Sequence, residues 1–303
     1  MNASQTSILA TLSDELADAV ETAGRSTVTV NARRRMPASG IVWTNDGTII
    51  TASHVVERDD DITIGLPDGR EVPARLLGRE NGADIALLAV DAPHLEAAPR
   101  SLHEARVGNL ALAIGRPGPD GTQASFGAIS TVGGSWRTPR GATVDGYIRA
   151  DVAMLPGFSG GPLVDGAGAV IGLNSSTLGR GGGLTLPHRA IDQIAEDILA
   201  YGHVRRAYLG IGTQQVMLPA SQAEALGLED PHALLIVQVE HESPAERDGL
   251  LLGDILAAVA GVPTPTVEAL QDQLPGLRTG QPLELRVLRG GQPATISVTP
   301  ADR

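Results

Sequence analysis

The first 24 residues place apolar side chains at helical intervals. Leu9, Leu12, Leu16 and Val20 recur every three or four positions, with acidic side chains between them. This spacing predicts an amphipathic helix over residues 1–24. We expect its apolar stripe to pack on the rest of the protein or on a sister subunit, and contact with a membrane surface is the alternative.

After Ser26 the pattern changes to short apolar runs separated by turn-forming residues such as Asp46-Gly47 and Asp68-Gly69. No helical pattern intervenes between these runs. Regularly spaced short strands predict an antiparallel barrel or sandwich rather than a parallel sheet. The predicted strands are Thr27–Val30, Gly40–Trp43, Thr48–Thr51, Ile62–Ile64, Ile85–Val90, Leu110–Ile114, Gly127–Val132 and Ala169–Leu173.

A helix closes this β region, and a smaller unit follows it. His188–Tyr201 carries isoleucines on one face and ends before Gly202, a typical helix stop. Beyond about Ala207, helix and strand patterns alternate, which predicts a small α+β module. The chain is therefore predicted to contain an N-terminal helix (1–24), a β domain (25–202) and an α+β domain (207–303). The predicted elements of the last domain include strands Leu234–Val239, Ile255–Val259, Leu283–Leu288 and Thr295–Val298, and a helix at Thr266–Leu274.

Composition narrows the function classes. The 303 residues are 42% hydrophobic and 19% charged, which supplies enough apolar side chains for more than one core. The formal net charge is −12 and every Lys or Arg position is Arg, with one tight run at Arg33–Arg35. Because such a chain repels the phosphate backbone, no nucleic-acid partner is expected. The absence of Cys excludes disulfides, thiolate nucleophiles and Cys-ligated metals.

The sequence predicts no stable membrane span, because no apolar run approaches the roughly 18–20 residues that a bilayer requires. It also lacks a signal-peptide pattern, since acidic residues precede Arg25, the first basic residue. This absence favours a cytoplasmic location. The alternative is an extracytoplasmic protein whose N-terminus was processed or trimmed.

A candidate nucleophile lies in a glycine-rich segment. Glycines on both sides of Ser159 permit unusual backbone geometry and let a substrate carbonyl approach the main chain. The alternative is a glycine-rich hairpin with an incidental serine. Gly157-x-Ser159-x-Gly161 also matches the nucleophile elbow of α/β-hydrolases, but a hairpin pattern rather than a helix follows Pro162, so the elbow does not fit.

Two further residues could assist a serine. His54 follows the predicted strand Thr48–Thr51 and could act as the base that a serine needs. Alternatively, it could be a core histidine whose ring nitrogens are hydrogen-bonded and which has no catalytic role. Asp84 opens an apolar strand and could orient an imidazole or merely cap a turn.

Taken together, the three residues are far more informative. The order His54, Asp84, Ser159 is the chymotrypsin-type order. The surrounding segments resemble the three catalytic motifs of the HtrA (Deg) family of serine proteases. That family joins a chymotrypsin-like double antiparallel β-barrel to C-terminal PDZ domains, so the resemblance implies a mainly β chain with one α+β PDZ domain. The segments that carry the resemblance are Thr51–Val56, Ala83–Leu88 and Pro156–Leu163.

The resemblance continues in the C-terminal domain. Ser243-Pro244-Ala245, Gly249-Leu250 and Gly253-Asp254-Ile255 match the PDZ core pattern. The domain is therefore expected to bind the C-terminal end of a peptide as an added strand. The residues similar to the family's carboxylate-binding loop are Tyr208, Leu209, Gly210 and Ile211.

The resemblance also implies roles for individual residues. Ser159 is the implied nucleophile, His54 its general base and acid, and Asp84 the group that orients the imidazole. The amides of Gly157 and Ser159 are the implied oxyanion hole. No metal or organic cofactor is expected, since no HExxH, CxxC or phosphate-loop motif occurs. Phe158 stands where the family usually has Asn, and we expect its ring to bias the geometry of the loop that holds Ser159.

The substrate pocket is implied less directly. Trypsin-like enzymes that cut after Lys or Arg carry an acid six residues before the serine, whereas this chain has Ala153 there. An apolar pocket favours small or medium aliphatic side chains in the substrate. If the alignment of this position is shifted by two residues, however, Asp151 would stand in the pocket instead of Ala153. The glycine-rich Gly179–Gly183 is expected to be mobile. The implied pocket residues are Ala153, Met154, Ser175, Ser176 and Leu184.

We therefore expect an ATP-independent serine endopeptidase of protein quality control that cleaves unfolded or damaged polypeptides, with the PDZ domain recruiting or regulating. The alternative is a peptide-binding, chaperone-like protein whose active site is locked at rest. The family is typically trimeric, often through N-terminal aromatic residues. No aromatic residue precedes Trp43, so a homotrimer would have to use aliphatic residues such as Leu9, Leu12 and Leu16.

Overall fold

Two units make up the chain, Met1–Val204 and Arg205–Arg303, and each has its own hydrophobic core. Both are built mainly of antiparallel strands, as the short apolar runs predict. Among the described residues, no helix is long and apolar enough to cross a bilayer. The computed structural model describes residues 7–34, 36–179, 183–204, 207–274, 277 and 279–302.

The N-terminal helix, α1, spans Ile8–Gly24. Leu16 and Val20 pack against the core of the first unit, and the small Ala19 and Ala23 are fully buried beside them. Leu9 is exposed, so the apolar stripe that contacts the protein begins later than the sequence pattern predicts. The helix therefore packs on its own chain.

The first barrel contains the first six strands, closed in the order β1-β2-β3-β6-β5-β4. Its interior is filled by large aliphatic side chains from β2, β3 and β6. The sequence pattern missed β5, because charged residues alternate with apolar ones along it and Pro73 interrupts the run. The strands are β1 (Thr27–Asn31), β2 (Ala38–Val42), β3 (Thr48–Ala52), β4 (Ile62–Gly65), β5 (Glu71–Glu80) and β6 (Ile85–Val90).

The second barrel closes in the order β11-β14-β13-β12-β7-β8. A short pair, β9 and β10, extends from it between β8 and β11. The double antiparallel barrel expected from the sequence is confirmed. The strands are β7 (Leu110–Gly115), β8 (Gln123–Gly133), β9 (Trp136–Arg137), β10 (Thr143–Val144), β11 (Tyr147–Ala150), β12 (Pro162–Val164), β13 (Val170–Ser175) and β14 (Leu184–Pro187).

The second helix, α2, spans His188–Tyr201, as the periodicity predicts. Gly202 ends it in the left-handed conformation (φ 81°), which glycine adopts without a steric penalty. The buried face, which includes Ile191 and Ile198, packs on strands of both barrels, β5 and β6 of the first and β13 and β14 of the second. This helix therefore bridges the two barrels.

The second unit contains a six-strand antiparallel sheet, in the order β16-β17-β18-β20-β21 with β19 paired to β18. Short helices and a separate strand pair, β15 and β22, complete the unit. Strand β16 lies at an edge of this sheet and α5 contacts it. The elements are β15 (Ala207–Tyr208), β16 (Ile211–Met217), α3 (Ala220–Ala225), β17 (His232–Val239), α4 (Pro244–Arg247), β18 (Ile255–Val259), β19 (Val262–Pro263), α5 (Val267–Gln273), β20 (Leu283–Arg289), β21 (Gln292–Val298) and β22 (Ala301–Asp302).

Candidate active site

Strand register brings His54 and Asp84 together. Strands β3 and β6 are antiparallel neighbours, with Ala52 opposite Ile85. His54 lies in a short 3-10 turn just after β3, and Asp84 directly precedes β6, so both lie at one end of the same strand pair. The His54 Nδ1 and Asp84 Oδ2 atoms are 2.7 Å apart.

Asp84 is fully buried and its carboxylate is surrounded by donors. Oδ1 accepts the backbone N–H of His54 at 2.9 Å. Oδ2 accepts the hydroxyls of Ser175 and Thr177, the latter at 3.0 Å. The residue has a left-handed backbone (φ 58°), and its carbonyl accepts the N–H of Ser53 at 3.0 Å. Both the side chain and the main chain of Asp84 therefore hold the His54 turn in place.

These contacts keep the carboxylate ionised. Burial by itself raises the pKa of Asp84, but hydrogen bonds from His54 and Ser175 and the charge of the imidazole hold this pKa below its ordinary value. An ionised Asp84 accepts the proton on Nδ1 of His54. The Nε2 atom is then the basic nitrogen of the ring, which is the arrangement that a general base requires.

Among the described residues, two backbone amides of the loop before β12 have no acceptor. The Phe158 N–H donates to the Leu155 carbonyl at 3.1 Å, and the Gly160 N–H donates to the Asn174 carbonyl at 2.8 Å. The Gly161 N–H donates to the Phe158 carbonyl at 3.0 Å. Within the part of the chain that the structure describes, the N–H groups of Gly157 and Ser159 have no acceptor. Two unpaired amides flanking one residue could donate to a developing oxyanion.

Phe158 anchors this loop in the second barrel. Its ring is fully buried in a cluster that includes Ile129 and Leu163. The fit is tight: a Cβ placed on Gly115 would lie 2.4 Å from the Phe158 ring. The ring that replaces the family's usual Asn is thus part of the core, and it fixes the loop between the two unpaired amides.

The Ser159 hydroxyl hydrogen-bonds to Ser176. It donates to Ser176 Oγ at 2.9 Å and accepts the Ser176 N–H at 3.2 Å. Among the described residues, neither ring nitrogen of His54 is hydrogen-bonded to Ser159. The segment 175–177 nevertheless joins all three candidates. Ser175 and Thr177 bind Asp84. The Thr177 hydroxyl also lies 3.4 Å from His54 Nδ1, and Ser176 binds Ser159.

The predicted pocket residues have different environments. Ala153 is exposed, Met154 is half-buried beside the Phe158 cluster, and Leu184 is buried in the core of the first unit. Ser175 is buried with its hydroxyl on Asp84, whereas Ser176 is exposed beside Ser159. Part of the Gly179–Gly183 segment, residues 180–182, lies outside the described residues. The pocket therefore stays a prediction.

Three contributors to the site were missed by sequence reasoning. Thr177 donates to Asp84, and the Arg140 guanidinium lies 3.5 Å from Asp84 Oδ1. Ser39, on β2, hydrogen-bonds to the Ser159 loop. None of these residues is near the candidates in sequence, and only barrel closure brings them to the site. Among the described residues, no cluster of His, Asp or Glu suited to a metal ion occurs.

The predicted peptide-binding loop lies between β15 and the edge strand β16. Leu209 is buried, and its carbonyl accepts the Ala245 N–H at 2.9 Å. Gly210 has φ 79°, and a Cβ there would lie 2.2 Å from the Ser243 Cβ, so only glycine fits. The Tyr208 hydroxyl donates to Glu240. An edge strand with a helix beside it is the geometry in which a peptide adds as a further strand.

Comparisons with known proteins agree with this architecture. A family profile described as a trypsin-like peptidase domain matches residues 38–173, and one described as a PDZ domain matches residues 207–299. The chain is 36% identical over 276 residues to a "Probable periplasmic serine endoprotease DegP-like" of Halomonas elongata, covering 89% of this chain and 57% of that protein. It is 34% identical to a protein of the same name from Pseudomonas savastanoi pv. phaseolicola, covering 86% of this chain and 55% of that protein.

Solved structures are similar over almost their whole length. The structure titled "HtrA-type protease AlgWS227A with tripeptide" is 30% identical, with a TM-score of 0.75 over 95% of this chain and 97% of that chain. A serine endoprotease from Yersinia pestis is 27% identical, with a TM-score of 0.75 and coverage of 95% and 98%. These matches define the first unit as a trypsin-like peptidase domain and the second as a PDZ domain. The chain belongs to the HtrA family of serine endoproteases, as its three motifs and PDZ pattern predict.

The comparisons correct one expectation. The sequence favoured a cytoplasmic location, but the relatives are named periplasmic endoproteases. The cytoplasmic prediction is therefore wrong, and the lack of a leader pattern was not a valid guide to the compartment. The chain spans a little more than half the length of these relatives.

Proposed function

We propose that this chain is a serine endopeptidase in which Ser159 is the nucleophile, His54 the general base and Asp84 the group that orients the imidazole. The observation that carries the proposal is a buried, ionised Asp84 that holds His54 through Nδ1. The Ser159 loop supports it, since two of its amides have no acceptor among the described residues. This is the set of parts that acyl transfer to a serine requires.

The proposed reaction proceeds through an acyl-enzyme. Ser159 Oγ attacks the scissile carbonyl while His54 Nε2 takes the hydroxyl proton, and Asp84 stabilises the imidazolium that forms. The Gly157 and Ser159 amides donate to the tetrahedral oxyanion. His54 then gives the proton to the leaving amine, and the acyl-enzyme is hydrolysed by water that His54 activates in the same way.

The substrates we propose are unfolded or damaged polypeptides, cleaved without ATP outside the cytoplasm. An extended segment is needed, because a folded chain cannot present its backbone to Ser159. The PDZ domain is proposed to bind C-terminal peptides at the Tyr208–Ile211 loop and β16, in keeping with the peptide-bound AlgW structures. A homotrimer is part of this proposal, and the exposed Leu9 is available for contact with a second copy.

Casein cleavage tests the proposed activity. The parent protein should degrade casein, and Ser159→Ala should not. Ser130→Ala removes a hydroxyl from the exposed side of β8 and should cleave at the parent rate. Cleavage by Ser159→Ala equal to that of the parent would reject Ser159 as the nucleophile.

A second candidate function is a peptide-binding, chaperone-like protein whose catalytic serine is held at rest. The observation favouring it is the pair of Ser159–Ser176 hydrogen bonds, which direct the hydroxyl away from His54. Ser176→Ala would remove the acceptor at 2.9 Å. If the resting geometry limits activity, this variant should cleave casein faster than the parent, whereas an equal rate would count against a lock at this contact.

A further inference from the structure

Ser39 contacts the Ser159 loop from the opposite barrel. It lies on β2 and is fully buried. Its hydroxyl donates to the Gly157 carbonyl at 2.7 Å and accepts the Arg116 N–H at 2.8 Å. Its own N–H donates to the Ser159 carbonyl at 3.2 Å. One residue of the first barrel thus makes three hydrogen bonds to two segments of the second.

These bonds fix the peptide groups on either side of the unpaired amides. The Ser39 hydroxyl holds the Gly157–Phe158 peptide by its oxygen, and the Ser39 N–H holds the Ser159–Gly160 peptide in the same way. Gly157 has φ 84° and no side chain, so its backbone has unusual freedom to rotate when this restraint is absent. Pro117 packs beside it, since a Cβ on Gly157 would lie 2.4 Å from the Pro117 ring.

The hydroxyl is suited to this task because it donates and accepts at the same time. The Arg116 N–H lies directly after β7, and Gly157 lies in the loop before β12, the neighbour of β7 in the barrel. Arg116 is itself held by its guanidinium, which donates to the Thr27 carbonyl at 2.8 Å and to the Gly24 carbonyl at 3.1 Å. The Ser39 hydroxyl therefore binds a well-anchored residue, Arg116, on one side and the loop that carries Ser159 on the other.

We infer that Ser39 is a positioning residue of the oxyanion hole: its hydroxyl holds the Gly157 peptide so that the Gly157 and Ser159 amides stay directed at the substrate carbonyl. This inference rests on the proposed function. Ser39 touches no substrate atom in this account and acts only through the loop. Its loss should affect the step in which negative charge develops more than it affects substrate binding.

The test compares Ser39→Ala with Ser39→Cys and Ser26→Ala in the full chain. Ser39→Cys keeps the side-chain bulk but has only a weak S–H donor. Ser26→Ala is the matched control, because Ser26 is also buried and donates its hydroxyl, at 3.2 Å, to the Ala23 carbonyl, yet this hydroxyl contacts neither Arg116 nor the Ser159 loop. Measured quantities are kcat and KM on a peptide substrate, the rate of labelling by a fluorophosphonate probe, and the melting temperature.

Removing one direct oxyanion donor costs about 10²–10³ in kcat, so loss of a positioning residue should cost at least about tenfold. We expect Ser39→Ala and Ser39→Cys both to lose kcat and labelling rate by that factor, with KM within about threefold of the parent. Ser26→Ala should keep the parent kcat while losing a comparable amount of thermal stability.

Each result decides the matter. If Ser39→Cys keeps the parent kcat and labelling rate, the hydroxyl acts only by filling space, and the inference is overturned even when Ser39→Ala does not fold. If Ser26→Ala loses kcat as much as the Ser39 variants, the effect is general destabilisation, and the inference is again overturned. If the parent itself neither cleaves nor is labelled, the proposed function fails and the role of Ser39 falls with it.

Discussion

At the residue scale, the site depends on one buried carboxylate and the hydroxyls around it. Asp84 accepts hydrogen bonds from His54, Ser175 and Thr177. Burial would raise its pKa, but the hydrogen bonds from His54 and Ser175 and the charge of the imidazole lower it below its ordinary value. The sequence motifs single out His54, Asp84 and Ser159. They do not reveal Ser39 or Thr177, because isolated hydroxyl residues carry no local pattern and reach the site only through strand register.

Asp84→Asn tests the orienting role. An Asn in this position cannot accept the Nδ1 proton with a carboxylate, so the imidazole is held in the wrong tautomer. In the serine-protease template this change lowers kcat by about 10⁴, and we expect a loss of that order here. The measurement is kcat on a peptide substrate, with the exposed Asp120→Asn as control. A loss below about tenfold would contradict the role of Asp84.

At the element scale, the packing of the Ser159 loop differs from what the sequence alone suggests. Phe158 looks like a disturbance when only the motif is considered, yet its ring fills the second barrel opposite Gly115. Helix α2 was predictable to the residue, because its periodicity and the Gly202 stop agree. Strand β5 was not, since Pro73 and Gly78 interrupt the alternation of charged and apolar residues that would mark a half-buried strand.

Phe158→Ala should destabilise the first unit strongly. Truncating a fully buried Phe costs about 3–5 kcal/mol, because the cavity cannot close completely. Phe158→Leu should cost less, since most of the volume remains. Urea unfolding of the three proteins measures the difference. A loss under about 1 kcal/mol for Phe158→Ala would show that the ring is not a core anchor.

In the PDZ domain, one buried ion pair supports the end of β20. Asp254 is almost fully buried and Arg289 binds it through two nitrogens, at 2.8 and 2.6 Å. Burial raises the pKa of Asp254, but the hydrogen bonds from Arg289 and the Leu251 N–H lower it below its ordinary value. The folded state therefore favours the charged carboxylate relative to the unfolded state.

Arg289→Met should leave that charge uncompensated. We expect the free energy of unfolding to fall by about 3 kcal/mol at pH 7, the lower end for a buried pair, because the guanidinium is one third exposed. The pKa of Asp254 is lower in the folded protein than in the unfolded chain. The ion pair therefore contributes its full stabilisation above the ordinary Asp pKa of about 4, and this stabilisation is lost as the pH falls through the pKa of Asp254 in the folded protein. Urea unfolding should show a smaller difference in the free energy of unfolding between parent and variant in acid than at pH 7. An unchanged difference in acid would contradict the linkage to Asp254.

At the scale of the whole molecule, the chain joins a trypsin-like peptidase domain to a PDZ domain. The short strands and turn signals predict a barrel or sandwich followed by a small α+β module, and the resemblance of three ordered motifs predicts the family and with it the two folds. The compartment could not be read from the N-terminal residues, and the relatives corrected it. The hydrogen bonds of the Ser159 hydroxyl to Ser176 also could not be predicted from the sequence, because they depend on where β13 ends.

Gly210→Ala tests the role of the second unit in the full chain. The added methyl would lie 2.2 Å from the Ser243 Cβ at a left-handed position, so the loop must distort. We expect binding of a peptide with a free C-terminal carboxylate to weaken at least about tenfold, or by about 1.4 kcal/mol. Fluorescence anisotropy of a labelled peptide measures it, and Gly249→Ala, where a Cβ meets no atom within 4 Å, controls for backbone strain at φ 87°. Unchanged binding in Gly210→Ala would exclude this loop as the carboxylate site.

The most direct measurement of the central claim is covalent labelling by a fluorophosphonate, with the adduct located by mass spectrometry. Only a serine activated by a base and facing oxyanion donors should react rapidly. The account predicts a single adduct on the peptide that contains Ser159, absent in Ser159→Ala and strongly reduced in His54→Ala. No adduct on the parent protein, or one of equal extent in Ser159→Ala, would contradict it.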